Sequence, residues 1–208
     1  MGMACDWTPV RRARKVFAVA GLAALAWAVA PVAGAQRPIR IGASLSQTGL
    51  YAAFGQNQLR GYQLCVKHLN DKGAVLGRKL ELVFYDDGSD PAAAVRLYEK
   101  LITQDKVDLV LGPSGGPITD AVADVTEKHK MPMVAPSAAT TSIYRKGRKF
   151  IFSMLPPTEV YVEGLMDLAA KKGLKTVALI NVDDLSNREI TLGTVELAKK
   201  RLFSFASG

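Results

Sequence analysis

The sequence predicts an α/β fold built on a parallel β-sheet. Short apolar runs alternate with amphipathic stretches along the chain, the pattern of strands linked by helical crossovers. One run, residues 107–111, is apolar at nearly every position, as in a strand buried on both faces of a parallel sheet. Two runs end in small residues. Val107-Asp-Leu-Val-Leu-Gly112 passes into Pro113-Ser-Gly-Gly-Pro117, and Met131-Pro-Met-Val-Ala-Pro136 passes into Ser137-Ala-Ala-Thr-Thr141. Such strand ends leave backbone N–H groups and hydroxyls pointing into a crevice, where they suit a small carboxylate or other polar ligand. Almost nothing beside them can break bonds, so the chain reads as a binder.

The elements follow in order. Residues 39–45 form the first strand, and residues 46–55 a polar loop broken by glycines. Residues 57–72 are helical, with Leu59, Tyr62, Cys65, Val66 and Leu69 on the inward face. Gly73 and Gly77 mark a turn before the second strand, residues 79–85, which ends at Asp86-Asp87-Gly88. Asp90 caps the next helix, Pro91 takes its first position, and Val95, Tyr98, Leu101 and Ile102 face inward. The third strand spans residues 107–111, a helix runs over 117–130, and the fourth strand spans 131–135. Ligands then belong at the carboxyl ends of the strands. Near residue 150 the pattern changes. Residues 150–152 form a short strand and 153–157 a crossing linker. A new α/β unit follows, with a helix over 159–172, a strand over 176–181 and a helix over 188–201. The domain boundaries expected are a first lobe over 36–152 and the start of a second over 153–208. One helix–strand–helix unit cannot bury its own apolar faces. The chain shows neither a glycine cap nor a further strand after its last helix. The second lobe therefore reads as incomplete, from an early stop, a frameshift or a gene fragment.

The N-terminus reads as a secretory signal peptide. Arg11, Arg12, Arg14 and Lys15 precede an apolar run over 16–32, and Ala33-Gly34-Ala35 fits the small-residue cleavage pattern, with cleavage after Ala35. The run is short for a membrane span and is broken by Pro31 and Gly34. Arg11-Arg12 invites a twin-arginine reading, but the following residues fit general secretion better. Cys5 precedes the apolar run, so no lipid anchor is indicated. Removing residues 1–35 takes four basic residues and Asp6, lowering the net charge from +8 to +5. The lysines are spread along the chain without interleaved aromatics, which argues against nucleic-acid binding. Cys65 is the one cysteine left, placed in the core of its helix, and no internal disulfide can form.

Four stretches together resemble one family. They are Ile39-Arg-Ile-Gly-Ala-Ser-Leu-Ser-Gln-Thr-Gly49, Tyr85-Asp-Asp-Gly-Ser-Asp-Pro91, Gly112-Pro-Ser-Gly-Gly116 and Pro132-Met-Val-Ala-Pro-Ser-Ala-Ala-Thr140. In this order and spacing they resemble the type I periplasmic binding proteins, in particular the leucine/isoleucine/valine-binding-like solute receptors of ABC importers, over roughly residues 37–200. The resemblance implies a Rossmann-like parallel-sheet lobe, the first of two, with solute captured between lobes that close over it. It also implies a monomeric periplasmic protein that needs no cofactor and whose partners are a small solute and an inner-membrane permease. Family members are longer, and their hinge closure needs the rest of the second lobe. The binding residues implied are Phe54 as a first-loop aromatic, Ser114, Gly115 and Gly116 after the third strand, and Ser137, Ala138, Ala139 and Thr140 after the fourth. The hydroxyl-bearing family position aligns with Gly116, leaving only its N–H unless Ser114 substitutes. The expected second-lobe aromatic is missing from Asp183-Asp-Leu-Ser-Asn187, and the amino-pairing acid falls beyond Gly208. Branched-chain amino acids, aromatic acids, amides and other small carboxylates all stay open as ligands.

The residues also carry competing readings. Gly112-Pro-Ser-Gly-Gly116 satisfies the nucleophile-elbow pattern of α/β-hydrolases, but the only histidines, His68 and His129, cannot supply a downstream base. No Gly-Lys-Ser/Thr follows, so the loop is not a phosphate cradle. Asp86-Asp87 and Asp183-Asp184 read as solvated loops or helix caps rather than metal ligands. His68 and His129 read as exposed and inert. The basic run Tyr144-Arg-Lys-Gly-Arg-Lys149 reads as a solvated loop or a permease contact. A sensory receptor domain of the same fold is the remaining alternative.

Overall fold

Five parallel strands in the order β2-β1-β3-β4-β5 form the main sheet of the computed structural model, which describes residues 36–201 and the backbone of residues 204–205. The strands are β1 (Ile39–Ser44), β2 (Leu80–Tyr85), β3 (Leu109–Leu111), β4 (Met133–Ala135) and β5 (Ile151–Ser153). Between them run α1 (Ala52–Asp71), α2 (Pro91–Thr103), α3 (Gly116–Lys128) and a short α4 (Thr141–Arg145). The chain moves outward from β1 to β2, then crosses back to β3 and on to β4. Right-handed crossovers therefore put α1 on one face and α2 with α3 on the other. The strand order reverses at β1 and β3, so the crevice above their carboxyl ends is the place for a ligand.

The core lies under α2 and α3. Ala94, Tyr98 and Leu101 from α2 meet Ile118, Val122 and Val125 from α3 over Val110 and Met133 of the sheet, all buried. The inward face predicted for α2 is the one observed, and Asp90 caps it by accepting from the Ala92 N–H at 2.9 Å. At α1 the prediction needs two corrections. The helix starts at Ala52, within the stretch expected to be loop. Cys65 is exposed rather than in the core. Leu59, Tyr62, Val66 and Leu69 are half-buried at spacings of three and four, and Cys65 is rotated one residue off that stripe.

Three polar groups read as solvated are instead structural. Asp87 is buried and accepts from Ser44 Oγ at 2.8 Å, Ser46 Oγ at 2.6 Å and the Ser89 N–H at 3.0 Å. It ties the end of β1 to the end of β2. Arg148, from the basic run, keeps its side chain 5% exposed and binds Asp120 and Asp124, each at 2.7 Å. Burial works against the Asp120 charge, but hydrogen bonds from Lys146 and Arg148 hold its carboxyl below the ordinary range. His129 is half-buried and its Nε2 lies 2.7 Å from Glu99, while His68 is exposed as expected.

Beyond β5 the second α/β unit departs from prediction in detail. A 3₁₀ turn (Thr158–Val160) precedes α5 (Glu163–Lys171), where one continuous helix was expected. The strand β6 is only Thr176–Val177, and α6 runs over Leu185–Lys200, capped by Asp184 accepting from the Asn187 N–H. A strand does follow the last helix. β7 (Ser204–Phe205) pairs parallel with β6, which corrects the expectation of none. Met166 and Ala198 form a small core there, while Leu165, Leu174, Ile180 and Leu192 are exposed. The signal-peptide expectation lies outside the described residues. No helix among those described is long and apolar enough to cross a membrane.

Candidate functional site

A cavity of about 250 Å³ opens above the carboxyl ends of β1, β3 and β4. The first wall comes from the loop after β1 and the start of α1, which supply Tyr51 and Phe54. That corner is built by the Asp87 network. Ser89, held by Asp87, accepts from the Tyr51 N–H at 3.0 Å and donates to the Thr48 carbonyl at 2.8 Å. Asp86 receives the Gln47 N–H and the Thr48 hydroxyl, each at 2.8 Å. Burial pushes its carboxyl up, but the Gly88 and Gln47 amides and Thr48 outweigh that and hold it below the ordinary carboxylate value. Both oxygens of each acid accept from protein donors, and no cluster suited to a metal occurs among the described residues.

The floor comes from the loops after β3 and β4. Gly115, Gly116 and Pro117 line it on one strand end, with Ser137, Ala139 and Thr140 on the neighbouring one. Gly116 opens the thirteen-residue helix α3, whose first N–H groups have no partner within the helix, a favourable setting for an anion. A side chain at Gly116 would not fit, because a Cβ there would stand 2.5 Å from Ser186 Oγ and 2.7 Å from Thr140 Oγ1.

Six of the eight residues expected to bind ligand therefore line the cavity: Phe54, Gly115, Gly116, Ser137, Ala139 and Thr140. Two lie behind the wall. Ser114 is fully buried, and its hydroxyl donates to Gln58 Oε1 at 3.1 Å, so it does not replace the hydroxyl missing at Gly116. Ala138 is buried, and its carbonyl accepts from Tyr144 OH.

The remaining wall includes part of the stretch 183–187, where the resemblance placed the second lobe's contribution, together with residues not expected at the site. Leu155, Thr158 and Tyr161 come from the linker and 3₁₀ turn, and Asp184, Ser186, Asn187 and Ile190 from the start of α6. Tyr161 places an aromatic ring on this wall, where residues 183–187 have none. Asp184 supplies an acid within the chain. Burial and then the Asp184 charge raise the pKa of the Tyr51 hydroxyl, which stays protonated and able to donate. This wall is tied to the floor. Thr140 Oγ1 and Ser186 Oγ are 2.7 Å apart, and Glu189 accepts from the Thr141 and Ser142 amides at 2.7 and 3.1 Å. Leu155, Thr158 and Tyr161 lie in an irregular linker with no periodicity to mark them, and the start of α6 carries no local pattern that distinguishes a cavity wall from any other helix start.

Behind the floor, Tyr62 is half-buried, and that burial pushes its hydroxyl pKa up to about 12 from 10.0. Its folded value lies above its unfolded one, so the stability it contributes is complete below pH 10 and is lost as pH rises toward 12. Urea titrations across that range should show a loss on the order of 2 kcal/mol from Tyr62, on top of that from the more deeply buried Tyr98, and Tyr62→Phe should make the slope shallower. An unchanged slope in Tyr62→Phe would contradict this assignment.

The sequence matches the family model for periplasmic binding proteins over residues 38–203. It is 34% identical over 114 residues to a leucine-, isoleucine-, valine-, threonine- and alanine-binding protein of Pseudomonas aeruginosa, spanning 55% of this chain and 30% of that protein. An ABC-transporter solute-binding protein of Rhodopseudomonas palustris, solved with 4-hydroxybenzoate, superposes with a TM-score of 0.72 at 28% identity. It covers 81% of this chain and 45% of its own. A solute-binding protein from R. palustris BisB5, solved with 3,4-dihydroxybenzoic acid, gives 0.74 at 24% identity, over 82% of this chain and 46% of its own. The chain thus spans about a third of that curated relative and under half of these solved proteins.

Proposed function

The chain belongs to the periplasmic binding protein family, and from that premise we propose that it captures a small solute in the cavity above β3 and β4 for an ABC importer. The solute carries a carboxylate or amide head and an apolar body. The observation that carries this reading is the convergence on one cavity of the Gly115–Gly116 and Ser137–Thr140 loops with Tyr51, Phe54 and Tyr161. A carboxylate held by N–H and O–H donors at a helix start needs no counter-charge once it is desolvated. The aromatic rings suit the apolar body. The R. palustris protein solved with 4-hydroxybenzoate and the amino-acid-binding relative from P. aeruginosa support a small carboxylate as the solute class. We place the protein in the periplasm as a monomer that hands its solute to a membrane permease, with the first lobe ending at residue 152.

The reading is of a binder rather than a hydrolase. Ser114, at the centre of the elbow-like sequence, is fully buried and spends its proton on Gln58. His129 is engaged by Glu99. Calorimetric titration of the protein with L-leucine, 4-hydroxybenzoate and benzamide is the test. Saturable one-site binding of at least one, without turnover, is expected. No heat from any of them would overturn the reading.

A further inference from the structure

We infer that Gln58 is a positioning residue that sets the hydrogen-bond polarity of the site. It draws the Ser137 proton away from the cavity, so that Ser137 meets the solute as an acceptor. The site then prefers solutes with an N–H or O–H next to their acid group. The inference rests on the solute-binding reading above.

The Gln58 amide cannot be turned round. Its Nε2 lies 2.9 Å from the Gly112 carbonyl oxygen, which can only accept. A flipped amide would set two oxygens at that distance with no proton between them. The second Nε2 proton goes to Tyr62 OH at 2.6 Å. Tyr62 in turn directs its own proton to the Gly112 carbonyl, at 3.3 Å. With Nε2 fixed, Oε1 faces the two serines, 2.8 Å from Ser137 Oγ and 3.1 Å from Ser114 Oγ. A carbonyl oxygen has no proton to give, so both hydroxyls must donate to it. A serine has one hydroxyl proton. Toward the cavity that it lines, Ser137 therefore offers lone pairs alone.

The surroundings reinforce that polarity. β3 and β4 are paired neighbours, so the acceptor at Ser137 and the amide at the start of α3 sit on adjacent strand ends. A head group carrying an acid and, on the next carbon, an amine or hydroxyl supplies a partner to each. A simple carboxylate sets its own lone pairs against those of Ser137. Asp184 adds a second acceptor to the same cavity.

The test uses L-leucine, its 2-hydroxy analogue and 4-methylpentanoate, which has the same skeleton and neither donor. Calorimetry on the full chain should show the first two binding at least about tenfold more tightly than the third, as expected for one hydrogen bond to a desolvated group. Ser137→Ala should collapse that ratio toward one. Gln58→Leu should release the Ser137 proton and shift the ratio toward 4-methylpentanoate. Thermal melts establish that each variant is folded. Ser137→Ala removes one oxygen from a half-buried site, so it keeps the test decisive if Gln58→Leu does not fold. Equal binding of all three ligands, or a preference that survives Ser137→Ala, would overturn the inference while the solute-binding reading stands. Binding of none of them would overturn the inference, and the solute-binding reading would fall with it only if 4-hydroxybenzoate and benzamide also gave no heat.

Discussion

Gly55→Ala should lower the stability of the protein by about 3 kcal/mol or more, the upper range for overfilling a closed site. A Cβ at Gly55 would stand 1.9 Å from the Ser46 carbonyl oxygen, 2.6 Å from its carbon and 2.9 Å from its nitrogen. Those are backbone atoms, and they cannot swing aside as a side chain would. Gly55 is also the one residue α1 buries fully, so it is the point where the helix rests on the loop after β1. The higher helix propensity of alanine offers only about 1 kcal/mol in return. To admit the methyl group the first turns of α1 must lift, carrying Tyr51 and Phe54 with them and opening the aromatic wall. Urea unfolding should show the loss, with a melting temperature lower by roughly 10 °C. An alanine variant as stable as the parent would mean that α1 does not sit on that loop.

Asp87→Ala is the second large effect, and it acts on the same corner. The substitution strips the acceptor from two buried hydroxyls and one backbone N–H, those of Ser44, Ser46 and Ser89. Leaving buried donors unsatisfied costs about 3 kcal/mol here, since a charged acceptor is lost. Ser89 is also the anchor of the Tyr51 N–H, so solute affinity should fall together with stability. Asp87→Asn keeps one acceptor oxygen and should lose about half as much. Equal losses for the two variants would show that the charge, rather than the hydrogen-bond set, holds the corner.

These two residues mark how far the sequence could be read. The parallel sheet, the inward face of α2 and the Asp90 cap follow from periodicity and local chemistry, and the structure has them. The role of Asp87 does not follow, because its partners are Ser44 and Ser46, about forty positions earlier, brought alongside only by the register of β1 on β2. Arg148 shows the same limit. A run of basic residues looks solvated until α3 presents Asp120 and Asp124 to it. At Cys65 the error was one of phase, a single residue on a helix whose buried stripe is narrow. The floor of the site was legible as two strand ends rich in small residues. Its far wall was not, because Thr158, Tyr161 and Ser186 gain their position from the packing of α6 against the 3₁₀ turn rather than from any local pattern.

The central claim is that solute is held by the two strand-end loops and the start of α6. The most direct measurement is a ¹⁵N-resolved NMR titration of the protein with L-leucine and with 4-hydroxybenzoate. The account predicts saturable shifts of the Gly115, Gly116, Ala139, Thr140 and Asn187 amides with at least one of them, and little change at Cys65 or along α5. Shifts confined to other surfaces, or none at saturating ligand, would contradict it.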